Sequence, residues 1–269
     1  MPPITSPAPF FIVGCVRSGT TMLRDALRLH DNLGCPEETH FFRWGDPFGT
    51  DALNRTLSNN QVLKKHRELD GVTEDEFREL LAKSNSRADL YHRYMRLYLA
   101  KNKPSATRWF DKTPQNVYGA MLIATTMPRV KFVHIVRDPR NVAASLRIGK
   151  VVKVESIVGS ANYWHESVQI IKGLKRAFPE RVHELRYEDF VANPLVHIES
   201  ILSFLGEPFN AATFADLNIR NSDHAEESLL TPEELQRLES ICQLGMKRYK
   251  YKIEGPTSSS QSTTSQLSE

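Results

Sequence analysis

The amino-acid sequence predicts an α/β domain in which a central parallel sheet is flanked by helices. Several short, continuously apolar segments are typical of strands that are buried on both faces. Helix-forming segments separate them, and this alternation favours a parallel sheet. Two of the predicted strands lead directly into a turn and a helix, which is where such folds bind ligands.

The predicted strands are short and apolar, and they are Phe10–Gly14, Arg108–Phe110, Lys131–Val136 and Arg181–Leu185. The predicted helices show capping residues or helical apolar spacing, and they are Thr20–Leu29, Thr73–Lys83, Ala88–Ala100, Asn116–Thr126, Pro139–Ile148, Glu155–Phe178, Pro194–Leu205 and Pro232–Leu244. Thr73 and Glu76 form the pattern of a capping box at the start of the second helix.

The composition indicates one globular domain between two short polar ends. The chain has 269 residues, of which 40% are hydrophobic and 25% charged, as in ordinary globular proteins. We expect a single domain over 10–254 because no linker or internal repeat interrupts it. The proline-rich segment 1–9 and the Ser/Thr-rich segment 255–269 are expected to be disordered because they cannot bury a core.

Charge and cysteine content exclude several classes of function. A net charge of +3 is too balanced to favour nucleic-acid binding. Cys15, Cys35 and Cys242 lack the spacing of a metal site, so no metal is expected. Unpatterned cysteines, with no signal peptide and no long apolar run, predict a cytoplasmic protein without a membrane span.

The stretch "FFIVGCVRSGTTMLR" predicts an anion-binding loop. Gly14 and Gly19 frame a turn between a strand and a helix, which directs backbone N–H groups at one anion. The loop carries Arg17 and hydroxyl side chains, yet it lacks the lysine of a nucleoside-triphosphate loop. This difference favours a single phosphate that bears a further group, without an obligatory metal. The alternative is an ordinary turn with a threonine cap.

The stretch "KFVHIVRDPRNVAASL" predicts a second anion site. Arg137 follows a strand, Asp138 and Pro139 are typical of a helix start, and Ser145 lies two turns further on. An arginine at a strand tip with a nearby serine suits a second phosphate. The alternative is that Arg137 pairs with a surface carboxylate.

Together, these segments resemble the sulfotransferases that use 3′-phosphoadenosine-5′-phosphosulfate. "RSGTT" is similar to the family's 5′-phosphosulfate loop and "VRDPRNVAAS" to its 3′-phosphate motif. The segment with "CPEETHFF", "DKTPQN" and "LRYEDFVANP" resembles the tyrosylprotein-sulfotransferase branch in particular. The resemblance covers about residues 10–206 and implies a P-loop-like sulfotransferase fold and this nucleotide as donor, released as 3′-phosphoadenosine-5′-phosphate.

The resemblance also implies roles for individual residues. The residues implied to hold the 5′-phosphosulfate are Arg17, Ser18, Gly19, Thr20 and Thr21. Those implied to bind the rest of the nucleotide are Arg137 and Ser145, at the 3′-phosphate, and Tyr187. Those implied to act on the reacting groups are Glu38 as general base, Lys112 and Arg17 near the transferring group, and His40 as the substitute base.

Some features depart from that branch or leave alternatives open. His40 stands where the animal enzymes have arginine, so contacts with the acceptor are expected to differ. The resemblance implies that the acceptor is a hydroxyl or phenol, either of a tyrosine in an acidic peptide or of a small molecule, lipid or sugar. Its binding residues are expected mainly in 46–106 and 150–180. A homodimer is compatible with the sequence, which does not define oligomeric state. Alternatives of another class are an atypical P-loop kinase and a non-catalytic nucleotide-binding protein.

Overall fold

The computed structural model describes residues 7–149, 152–219 and 229–253. The strands are β1 (Phe10–Val13), β2 (Leu33–Gly34), β3 (Arg108–Lys112), β4 (Lys131–Val136) and β5 (Val182–Arg186). The helices are α1 (Thr20–Arg28), α2 (Asp51–Asn59), α3 (Gln61–Leu69), α4 (Glu74–Lys83), α5 (Arg87–Asn102), α6 (Ala120–Thr126), α7 (Pro139–Arg147), α8 (Ile157–Ala177), α9 (Tyr187–Ala192), α10 (Pro194–Leu205) and α11 (Pro232–Arg248).

The strands form one parallel sheet in the order β2-β3-β1-β4-β5. Because β1 lies between β3 and β4, the carboxyl ends of these three strands are adjacent at one edge. The predicted fold class is therefore confirmed. The predicted anion loops follow β1 and β4, so the topology alone brings them together.

The sheet is buried on both faces because the side chains of β1 alternate between two apolar clusters. Phe11 and Val13 join a cluster that includes α5 residues such as Tyr91. Phe10 and Ile12 join a second cluster with side chains from α1 and α10. Phe10 also stacks on Phe110 of β3, with ring centroids 4.5 Å apart. This packing holds the end of β1 rigidly.

Several elements differ from the sequence predictions. Strand β2 has only two residues, too few to show a pattern. Helices α2 and α3 were not predicted, because each buries only two side chains and so shows a sparse apolar stripe. Helix α9, which has only six residues, was not predicted either. The helix predicted from Asn116 begins as a 3₁₀ helix over Pro114–Gly119 and becomes α-helical only at Ala120. The capping box at Thr73 is confirmed.

The basic and aromatic segment that follows α11 is held by its tyrosines. Tyr249 and Tyr251 are 9% and 7% exposed. The hydroxyl of Tyr249 donates to Glu184, and that of Tyr251 donates to Glu188 at 2.9 Å. The segment therefore packs against β5 and α9. Of the predicted disordered ends, 1–6 and 255–269 lie outside the described residues.

None of the helices within the described ranges combines the length and apolar character that a bilayer crossing requires. The three cysteines are buried and carry free thiols. Trp164 is fully buried, as expected of a core residue, and its indole N–H donates to the carbonyl of Arg137 at 2.8 Å. This bond supports the backbone at the end of β4.

Candidate active site

The loop between β1 and α1 has a backbone shape suited to an anion. Arg17 and Gly19 adopt left-handed conformations, with φ of 68° and 86°. A Cβ atom on Gly19 would lie 2.5 Å from the ring of Tyr187, so only glycine fits there. Gly19 precedes α1, and the first N–H groups of a helix have no partner within it. They and the helix dipole attract a negative charge at this end.

Contacts between Arg17 and the α7 segment join the two predicted anion loops. The Nε of Arg17 donates to Oγ of Ser145 at 2.9 Å. Arg137 donates from Nη1 to the carbonyl of Arg17 at 3.1 Å, and its guanidinium lies 4.6 Å from the ring centroid of Tyr187. Two arginines and the start of α1 thus converge at one edge of the sheet.

A cavity of about 300 Å³ lies at this edge, and we call it the loop cavity; it is lined by Arg17, Gly19, Thr20, Thr21, Met22, Arg137 and Tyr187. Ser145 is 1% exposed and does not line the cavity itself, but it accepts a hydrogen bond from Arg17, which does. The Oγ of Ser18 is buried without a hydrogen-bond partner among the residues that the structure describes. An unpaired buried hydroxyl is unfavourable, so this loop fits an anionic ligand that would accept from it.

Glu38, Lys112 and His40 lie together beside the loop cavity. Lys112 ends β3, and its Nζ contacts both the carboxylate of Glu38 and, at 3.2 Å, Oγ1 of Thr21. The Nε2 of His40 lies 3.2 Å from Oε2 of Glu38. Lys112 is therefore the direct link between the anion loop and Glu38.

The surroundings of Glu38 keep it ionised. Burial by itself would raise the pKa of its carboxyl, but the hydrogen bond with His40 and the charge of Lys112 outweigh burial and lower the pKa to about 2. Such a carboxylate is a weak proton acceptor while both partners remain in place. Movement of Lys112 away from Glu38 would therefore make the Glu38 carboxylate more basic.

Glu37 faces a different environment from its neighbour. Its carboxylate pairs with Arg24 at 2.7 Å and with Arg28 at 3.2 Å, both on α1. Glu37 is therefore engaged with α1. The two adjacent carboxylates therefore have different partners.

The motif "DKTPQN" supports the segment that carries Glu38. Buried Asp111 accepts hydrogen bonds from Oγ1 of Thr39 at 2.5 Å and from Nδ2 of Asn116 at 3.1 Å. Asn116 in turn accepts from the backbone N–H of Phe42 at 3.2 Å. These bonds join residues 39–42 to the end of β3, which holds Glu38 near Lys112.

A second cavity of about 400 Å³ opens beside Glu38, and we call it the α3 cavity; it is lined by Glu38, His40, Arg43, Trp44, Asn60, Val62, Leu63, His66, Gln115, Val152, Lys153 and Tyr163. Some of these residues lie in the segments where acceptor contacts were expected, and others lie at 38–44 and 115. Only Glu38 and His40 among them were predicted as site residues from the sequence. The remaining residues show no local motif because they come from separate elements.

The chain is similar in sequence to known sulfotransferases. A profile of the sulfotransferase family matches residues 9–211. A protein-tyrosine sulfotransferase of Drosophila melanogaster is 25% identical over 207 residues, which are 75% of this chain and 38% of that protein. The chain thus spans well under half the length of this relative.

Solved structures show the same fold. The sulfotransferase domain of the Synechococcus PCC 7002 olefin synthase superposes with a TM-score of 0.65 at 22% identity, over 94% of this chain and 98% of that one. Mouse sulfotransferase SULT7A1, solved in complex with PAP, gives a TM-score of 0.53 at 14% identity, over 90% and 85%. The profile match over most of the chain, together with this fold, establishes that the protein belongs to the sulfotransferase family.

Proposed function

We propose that the protein transfers a sulfuryl group from 3′-phosphoadenosine-5′-phosphosulfate to a hydroxyl or phenol of an acceptor. The observation that carries this proposal is Lys112, which contacts Thr21 of the anion loop and Glu38 of the neighbouring cavity. A donor anion and an acceptor oxygen would meet at this lysine.

The loop cavity supports binding of the donor. We assign the 5′-phosphosulfate to Arg17, Ser18, Gly19, Thr20 and Thr21, whose amides, hydroxyls and guanidinium are suited to one anion. Arg137 and Ser145 would hold the 3′-phosphate, and Tyr187 would lie against the nucleotide. When bound, the donor supplies an activated sulfuryl group. The family match, and a structure of the same fold that was solved with PAP, support this choice of nucleotide.

In the proposed transfer, the bond between sulfur and the bridging oxygen breaks while a bond from the acceptor oxygen to sulfur forms. The bridging oxygen keeps the electron pair and leaves with the nucleotide. Lys112 and Arg17 would stabilise the negative charge that develops there, and preorganised donors of this kind contribute several kcal/mol. The proton of the acceptor hydroxyl would pass to Glu38.

Glu38 and Lys112 would have to separate partly before the transfer. Because Lys112 lowers the pKa of Glu38, a donor phosphosulfate that attracts Lys112 would leave Glu38 more basic. Donor binding would thereby prepare the base. His40, 3.2 Å from Glu38, is the substitute base if Glu38 acts only through charge.

For the acceptor, we propose a phenol such as a peptide tyrosine. The fly relative is named for protein tyrosine, and the α3 cavity has aromatic walls at Trp44 and Tyr163 and cationic side chains at Arg43 and Lys153. Hydroxyls of small molecules, lipids or sugars could undergo the same chemistry there. A cytoplasmic location and a homodimer stay predictions.

Ligand binding and turnover test this proposal in turn. We expect 3′-phosphoadenosine-5′-phosphate, but not ATP with Mg²⁺, to raise the unfolding temperature of the purified protein. The reverse result would favour the kinase alternative and contradict the proposal. Transfer of ³⁵S-labelled sulfate is then measured with tyrosine peptides, simple phenols and glycans. Binding of the nucleotide without sulfate transfer to any of these acceptors would favour the alternative of a non-catalytic nucleotide-binding protein.

A further inference from the structure

Helix α3 and the residue that follows it, Asp70, contact the backbone of the Glu37–Glu38 segment at two points. The Nδ1 of His66 lies 2.9 Å from the carbonyl oxygen of Glu38. Since a carbonyl can only accept, Nδ1 carries the hydrogen and donates it. The carboxylate of Asp70 accepts from the backbone N–H of Glu37 at 2.8 Å. His66 and Asp70 are four residues apart, and residues at this spacing lie on the same side of a helix. We call these two residues the α3 clamp.

The α3 clamp is anchored in the core through Asp70. Asp70 is 2% exposed, and its second oxygen accepts from the hydroxyl of Tyr94 on α5 at 2.6 Å. Asn102, at the end of α5, donates to the backbone carbonyl of Asp70 at 2.9 Å. Movement of the clamp would therefore disturb buried hydrogen bonds, so it provides a rigid support.

The side chain of Glu37 is held by α1, through its ion pairs with Arg24 and Arg28. With Glu37 and the backbone engaged, the side chain of Glu38 is directed to Lys112 and His40. A carboxylate that must take a proton needs this kind of fixed position, since a misplacement of about 1 Å can reduce a rate by roughly 100-fold.

We propose that His66 and Asp70 are positioning residues that hold Glu38 in place for proton transfer. This inference rests on the proposed function. His66 also lines the α3 cavity, where its ring stacks on that of His40 with centroids 5.9 Å apart. The same helix therefore shapes the acceptor side and supports the base. Loss of the clamp should reduce kcat and leave donor affinity unchanged, because neither residue lines the loop cavity.

Substitutions of His66 test the clamp in the whole 269-residue chain, with ³⁵S transfer as the assay. His66→Ala should reduce kcat about 10-fold. His66→Asn should restore most of it, because the amide nitrogen of asparagine reproduces the Nδ1 donor, whereas His66→Gln places its amide at the Nε2 position. Lys65→Ala, on the exposed side of α3, is the matched control and should keep the wild-type kcat.

The readouts distinguish a positioning role of the clamp from a role in donor binding or in folding. The KM for the donor and the stabilisation by 3′-phosphoadenosine-5′-phosphate should change less than about 2-fold in every His66 variant. Asp70→Asn keeps an acceptor oxygen for Glu37 and should retain most of the activity, whereas Asp70→Ala should lose it. A wild-type kcat in His66→Ala, or rescue by glutamine instead of asparagine, would overturn the clamp alone. Absence of transfer by the wild type would overturn the proposed function, and the clamp with it.

Discussion

The loop cavity and the α3 cavity lie on either side of Lys112 but are built in different ways. The loop cavity comes mainly from two short segments, 14–22 and 137–145, each of which directly follows a strand. The α3 cavity collects side chains from 38–44, α3, the 3₁₀ helix at 114–119, the segment before α8 and α8 itself. Backbone amides at a helix start need only local sequence, whereas a side-chain cavity needs distant segments to pack together.

The largest expected effect concerns the junction of the two cavities. If Glu38 is the base, Glu38→Gln should reduce kcat roughly 100- to 10,000-fold, with unchanged stabilisation by 3′-phosphoadenosine-5′-phosphate. Steady-state ³⁵S transfer measures the first value and thermal unfolding the second. Glu37→Gln is the matched control, and its kcat should fall less than about 10-fold. The reason is that the carboxylate of Glu37 pairs with Arg24 and Arg28 instead of Lys112. Equal losses in both variants would contradict the assignment of the base.

The next effect is limited to the loop cavity. Arg137→Ala should weaken binding of 3′-phosphoadenosine-5′-phosphate about 100-fold, because charge-assisted bonds to a phosphate are strong. The loss for 5′-AMP should be smaller, and it should not vanish since Arg137 also donates to the loop carbonyl of Arg17. Calorimetric titration of both nucleotides gives the comparison. An equal loss would mean that Arg137 supports the loop only.

A smaller effect tests the backbone of the anion loop. Gly19→Ala forces a left-handed alanine against Tyr187 and should lower the free energy of unfolding by about 1–2 kcal/mol. Nucleotide binding should weaken as well. Gly173→Ala is the control, because Gly173 lies within α8 with open space around it. That variant should gain stability, by about 0.5–1 kcal/mol. Urea denaturation measures both, and a Gly19→Ala protein of wild-type stability would contradict this interpretation of the loop.

The last comparison is the pH dependence of stability, which has opposite signs at two carboxylates on the acceptor side. Burial raises the pKa of Asp70 from 3.8 to about 6, although Tyr94 and the backbone of Glu37 donate to it. The folded state then binds more protons than the unfolded state between these values, so Asp70 should reduce stability as pH rises through this range. The pKa of Glu38 falls from 4.5 to about 2 on folding. Its contribution to stability should therefore rise with pH between these two values.

Comparison with Asp70→Asn isolates the contribution of Asp70 to the pH dependence of stability. The free energy of unfolding of the wild type minus that of Asp70→Asn should decline between about pH 4 and pH 6 and level off above that range. Denaturation in urea at several pH values provides the curve. A difference that rises over the same range would show that the hydrogen bonds to Asp70 outweigh its burial.

The sequence could predict much of the fold and most of the residues of the loop cavity. The parallel sheet, the strands at 10 and 131, and the helix starts at Thr20 and Pro139 all agree with the structure. The family prediction is confirmed. The roles of the individual residues stay predictions. Helices α2 and α3 were missed because their sparse apolar stripes give little periodic signal.

The sequence by itself determined where an anion could bind, because a strand, a glycine turn and a helix start are adjacent in the chain. Only the tertiary structure decided that Lys112 joins Thr21 to Glu38, residues that are 91 and 74 positions away. It also decided that His66 and Asp70 hold the Glu38 segment. The physical reason is that side-chain contacts depend on how the helices and strands pack, and no local pattern of residues specifies that packing.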